Sequence, residues 1–239
     1  MKKNIREKIL AFYSAFNYCG SFILQLPDED IELIAFEDYC WGNFMDKPIE
    51  ELFELKVINE DIVKKVKRIR ILSEHIFSPD NQIEFSAEYV KTSKEWKEIF
   101  NLADKIKSYL ENSNRVRQAL KEEEKIEQYV LEIYIIFNDF QDYNFKNLNN
   151  NNKINYNELE KKVKFLYKCE VISREVLINI KYIKKLNEKL LNFNAENLYA
   201  TIETLKEYKE ILAFTNKIIE SLKKCDELEL AKHKLNFNR

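Results

Sequence analysis

The chain has 239 residues, 45% of them hydrophobic, and its charged residues sum to a net charge of -2. That is enough apolar material for a packed core in one large or two ordinary domains, and the balance of signs excludes an overall basic footprint for nucleic acid or an anionic membrane. Only two glycines and three prolines occur, none beyond Pro79, so tight hairpins and βαβ crossovers are hard to build and an all-α fold is expected.

The first element is MKKNIREKILAFYSAFNYCGSFILQL, an apolar run preceded by two lysines. Arg6, Glu7 and Lys8 interrupt it, and Asn17, Gly20, Ser21 and Gln25 fall within the uncharged part. This reads as a buried amphipathic helix rather than a signal peptide or membrane anchor, which places the protein in the cytoplasm. Cys19, Cys40, Cys169 and Cys225 show no C-x-x-C spacing, so they are expected to be free thiols in a reducing compartment. Neither a metal nor a cofactor is expected, because no Cys/His cluster, phosphate-binding glycine loop or nucleophile elbow is present.

From Ile9 to Asp46 there is no lysine or arginine, whereas seven acids occur. Phe36, Tyr39, Trp41, Phe44 and Met45 are interleaved with them. Acids among large aromatics suit a surface that imitates the anionic ligand of a basic protein: charge steers the encounter and the aromatics anchor it. The expected partner-binding residues are Asp28, Asp30, Glu32, Glu37, Asp38, Tyr39, Trp41 and Asp46. The competing reading makes the aromatics core and the acids a solvated face.

Next comes VINEDIVKKVKRIRILSEHI, in which Asn59 is a good helix cap and Ile58, Ile62, Val66, Ile69, Leu72 and Ile76 recur at spacings of three and four. A helix is predicted at 59–77. Within it, RIRILSEH leaves six residues between Arg68 and His75 and four between Arg70 and His75. This resembles the Arg-x(4 to 6)-His signature of the HEPN superfamily of helical ribonucleases, which would imply Arg68, Arg70 and His75 acting on RNA phosphate across a dimer. Ile69 or Ile71 stands where that family carries a polar residue. A non-enzymatic protein is the preferred reading, with this ribonuclease as the alternative.

SKEWKEIFNLADKIKSYL (93–110) carries the stripe Trp96, Ile99, Ala103, Ile106, Leu110, and its text returns 112 residues later as LKEYKEILAFTNKIIESL, identical at eight of eighteen positions. Val57–Glu74 likewise matches Val171–Glu188 at an offset of 114, with Ser173 answering Asn59 and the stripe repeated as Ile172, Val176, Ile180, Ile183, Leu186, Leu190. FSAE (85–88) matches FNAE (193–196), and Leu10, Tyr13, Phe16, Asn17 match Leu131, Tyr134, Phe137, Asn138. Tyr182, Lys184 and Lys189 stand where Arg68, Arg70 and His75 would, so the ribonuclease motif is not repeated.

Segments repeated in one order point to a duplication. The expectation is two tandem, diverged, bundle-like helical modules at 1–113 and 118–226, followed by a charged C-terminal tail at 227–239. NLNNNNKIN (147–155) reads as a solvated loop, and QIEFSAEY as a loop or a lone strand.

WGNFMDKPIEELFELKVINEDIVKKVKRIR together with SKEWKEIFNLADKI resembles small helical immunity proteins of bacterial toxin systems. The resemblance spans about residues 36–110. It implies stoichiometric neutralisation of a toxin or nuclease through the first module, with a basic protein partner and no nucleic-acid or membrane binding. A helical scaffold that forms a homodimer is the remaining alternative.

Overall fold

The computed structural model describes residues 1–17, 19–39, 46–78, 85–142, 154–191 and 206–237, apart from the side chains of 17, 36–39, 46–47, 140–142, 190–191 and 235–237. The described residues form α1 (Lys3–Asn17), a 3-10 helix (Ser21–Gln25), α2 (Asp28–Tyr39), α3 (Asp46–Glu54), α4 (Glu60–Ile76), α5 (Ala87–Thr92), α6 (Lys94–Asn112), α7 (Asn114–Asp142), α8 (Tyr156–Lys168), α9 (Arg174–Leu191), α10 (Lys206–Leu222) and α11 (Asp226–Phe237). No strand occurs among them, so the fold is all-α. None of these helices is long and apolar enough to cross a membrane.

Helix starts follow local chemistry. The side chains of Asn59, Ser86, Ser93 and Asn155 accept hydrogen bonds from the amides of Ile62, Tyr89, Trp96 and Glu158, at 3.0, 3.2, 3.1 and 3.1 Å. Each satisfies a donor that the first helical turn leaves without an intrahelical acceptor. The chain divides into two compact units, Asn4–Lys121 and Met1–Lys3 with Glu122–Arg239.

In the N-terminal unit α4 packs on α6, α3 on α4, and α5 on both α2 and α6. The stripe from Ile58 to Ile76 and the stripe from Trp96 to Leu110 are buried throughout, joined by Ile9, Phe12 and Phe16 of α1, as helical periodicity demands. Among the described residues Trp96 is the largest fully buried side chain, its ring within 6.3 Å of those of Phe77, Phe85 and Phe100. Val116 and Ala119, in the first turns of α7, are also buried. Gly20 sits against Asp104: a Cβ there would stand 2.5 Å from Oδ1, the atom that accepts the amide of Ser21 at 3.1 Å. A side chain would displace the carboxylate that caps the 3-10 helix.

The C-terminal unit has its own core, built from Ile126, Val130, Ile133 and Phe137 of α7, Leu159, Val163 and Leu166 of α8, the α9 stripe through Leu186, and Ile211, Ile218 and Leu222 of α10. Leu190 lies outside the described side chains. Residues 227–237, expected within a charged tail, are helical instead, because Leu228 and Ala231 give them an apolar face that is buried. Lys234 of this helix pairs with Glu127 of α7.

Several local features recur at the offsets of the sequence repeat. Lys56 and Glu170 are the positive-φ non-glycine residues among those described, at 55° and 60°. Around the first, the amide of Val57 donates to the carbonyl of Leu52 (2.9 Å) and that of Lys56 to Phe53 (2.9 Å); around the second, Val171 donates to Leu166 (3.0 Å) and Glu170 to Tyr167 (3.1 Å). Both α3 and α8 therefore end in the same left-handed, six-to-one hydrogen-bonded cap. Phe16 and Phe137 are both buried, and Val116 and Ala119 of α7 answer Leu228 and Ala231 of α11. Of the predicted loops, NLNNNNKIN lies outside the described residues up to Lys153. Phe85 and Ser86 lead into the short helix α5, while Gln82–Glu84 are outside the description.

Candidate functional site

Helix α2 opens at Pro27, whose carbonyl accepts the amide of Ile31 at 3.0 Å. Asp28, Glu29 and Asp30 fill its first turn, where carboxylates meet the positive end of the helix dipole. Ile31 and Ala35 are buried, which turns Asp28, Glu29, Asp30, Glu32 and Leu33 to solvent.

The exposed acids divide by role. Asp28 pairs with Lys91 of α5 (2.6 Å), and Glu32 accepts the amide of Ala87 at 2.7 Å, the first residue of α5. These two carboxylates hold α5 against α2. Glu29 and Asp30 have no ion-pair partner among the described residues, and beside them Leu33 is 55% exposed. The face thus offers two uncommitted carboxylates around an apolar side chain. Glu37, Asp38 and Tyr39 lie in the last turn of α2 and Asp46 at the start of α3, but their side chains, with the whole of Trp41, Phe44 and Met45, fall outside the described residues.

The ribonuclease-like residues lie on α4. Arg68 and His75, seven positions apart, share a helix face, and both are exposed. Arg68 grips Glu98 of α6 through two nitrogens, at 2.7 and 3.1 Å. That hydrogen bond and its charge raise the guanidinium pKa and hold the Glu98 carboxyl below its ordinary range. Arg70 is 3.7 Å from Glu74, one turn on. Both arginines therefore face a carboxylate on the protein itself.

In the C-terminal unit, a feature that the stripe pattern did not single out lies on the opposite side of α9. Ile178 is 41% and Tyr182 52% exposed, and the Tyr182 ring stacks on Phe214 of α10 at 5.6 Å and 13°. Lys217 lies over the Phe214 ring (5.8 Å), and Lys181 and Lys185 flank Tyr182 on the exposed side of α9. The signal was an apolar pair four residues apart on the face that should be polar.

Titratable groups here serve packing. Burial would raise the Glu132 carboxyl, but hydrogen bonds from Lys162 and Gln128 outweigh it and hold the pKa low. Burial pushes the Tyr156 phenol up to about 12 and raises the Cys225 thiol. Cys19, Cys169 and Cys225 are free thiols. No group of His, Cys, Asp and Glu suited to hold a metal occurs among the described residues. In comparisons with known proteins, no family model, curated protein or solved structure matches the chain.

Proposed function

We propose that this protein is a doubled helical module of the bacterial cytoplasm that acts by stoichiometric binding, as an immunity protein or inhibitor of a basic toxin or nuclease. The observation that carries the reading is the outward face of α2, where Glu29 and Asp30, with no ion-pair partner among the described residues, stand beside an exposed Leu33. Uncommitted carboxylates around an apolar anchor speed encounter with a cationic surface and let it dock without leaving the protein's own ion pairs broken. The matching caps at Lys56 and Glu170 support the doubling.

The test is recovery of a tagged chain with its partner from the native host, followed by association kinetics with the purified partner. A one-to-one complex is expected, with an association rate that falls as salt rises and drops at least about tenfold in the E29K/D30K variant at low salt. An unchanged rate in that variant, with its helical circular dichroism intact, would remove α2 from the interface.

A further inference from the structure

The ridge on α9 and α10 is the counterpart of the face just described, in charge and in shape. Ile178 and Tyr182 stand four residues apart and exposed, Phe214 supports Tyr182 from below, and Lys181, Lys185 and Lys217 surround them. Lys185 has no carboxylate partner among the described residues. The equivalent place in the N-terminal unit is solvent-compatible: Arg68, at the position of Tyr182, is spent on Glu98 across the helix pair. An ion pair is content in water, whereas an exposed isoleucine and a half-exposed aromatic stack gain from being covered.

We propose that this ridge binds the α2 face of a second copy of the same chain. The two faces complement each other: Glu29 and Asp30 flank Leu33 on one, and lysines flank Ile178 and Tyr182 on the other. Apolar side chains at the centre exclude water, and opposite charges at the rim set the register. Because the surfaces differ, the contact is heterologous, so association closes into a ring or continues as an open series. The same α2 face serves the inhibitor reading, yet self-association does not depend on it. A toxin bound at α2 would compete with the second copy.

The experiment is sedimentation velocity of the full chain over a range of concentrations at about 50 and 500 mM salt, on the wild type and two charge-reversed variants, E29K/D30K and K181E/K185E. The wild type is expected to gain mass with concentration at low salt and lose it at high salt. Each variant alone should sediment as a monomer, while an equimolar mixture should associate again, since the unaltered ridge of the first variant meets the unaltered α2 face of the second and the lysines placed on α2 meet the glutamates placed on α9. Tyr182→Ala should weaken wild-type association at least about tenfold. A monomeric wild type, association that survives either reversal, or a mixture that stays monomeric would each overturn the proposal. Failure here with partner binding at α2 intact would leave the inhibitor reading standing, and the reverse result would remove that reading alone.

Discussion

Lys56 and Glu170 hold the same left-handed backbone, φ 55° and 60°, at corresponding ends of α3 and α8, 114 positions apart. Each turn then delivers a Val-Ile pair to the core, Val57–Ile58 in one unit and Val171–Ile172 in the other. Neither is glycine, although a left-handed cap favours one. Replacing Lys56 or Glu170 by glycine is therefore expected to stabilise its own unit by roughly 0.5–1 kcal/mol, and replacing either by valine to destabilise it, because a β-branched side chain clashes there. Urea unfolding with a probe in each unit reads both changes.

The division of labour on α2 predicts unequal effects from neighbouring acids. Glu32→Ala removes the acceptor of the Ala87 amide and should cost about 1 kcal/mol of stability in the N-terminal unit. Glu29→Ala should change stability by less than about 0.5 kcal/mol, since Glu29 is exposed and has no ion-pair partner among the described residues. Equal losses measured by thermal unfolding would show that both acids are structural.

Trp96 sits where three other rings converge in the N-terminal core. Trp96→Ala should cost about 3–5 kcal/mol, through lost transfer energy and the cavity left behind. Because each unit has its own core, the loss should appear in the N-terminal transition, with a Tyr156-linked transition in the C-terminal unit moving less. Hydrogen exchange resolved by segment distinguishes the two.

Tyr156 gives the C-terminal unit an alkaline limit. Its pKa is raised by burial to about 12 in the folded chain, against about 10 when unfolded, so the neutral phenol stabilises the fold fully below pH 10. That contribution is lost as pH rises from 10 through 12, by about 2–3 kcal/mol in all. Tyr156→Phe should remove this share of the pH dependence, which denaturant titrations at pH 9, 10 and 11 would reveal as a flatter profile.

The acid limb is weaker and has the opposite sign. Hydrogen bonding to Arg68 lowers the Glu98 pKa, so its stabilisation is present above the ordinary carboxylate range and disappears as pH falls below about 4. Both groups are close to half exposed, and Arg68→Ala should flatten stability below pH 4 only slightly. A large loss at neutral pH in that variant would mean that the pair organises more than its own contact.

Much of this architecture was legible before any coordinates. The stripes Ile58 to Ile76 and Trp96 to Leu110 predicted their helices and buried faces from spacing alone, because a helix with one apolar side has one way to hide it. Residues 227–237 escaped, since Leu228 and Ala231 make too sparse a stripe to stand out from the charges around them. The acidic segment was legible as composition, yet composition could not say that Asp28 and Glu32 are committed to α5 while Glu29 and Asp30 are not.

Sequence by itself determined the helical class, the core faces and the cap at Asn59, all of which depend on contacts within about four residues along one helix. Tertiary structure alone decided which charges are spent and which are free. Lys91 reaches Asp28 and Glu98 reaches Arg68 across helices, and only the packing of those helices brings them within bonding distance. The stacked pair of Tyr182 and Phe214 has the same origin: two residues 32 positions apart meet because α9 and α10 lie side by side.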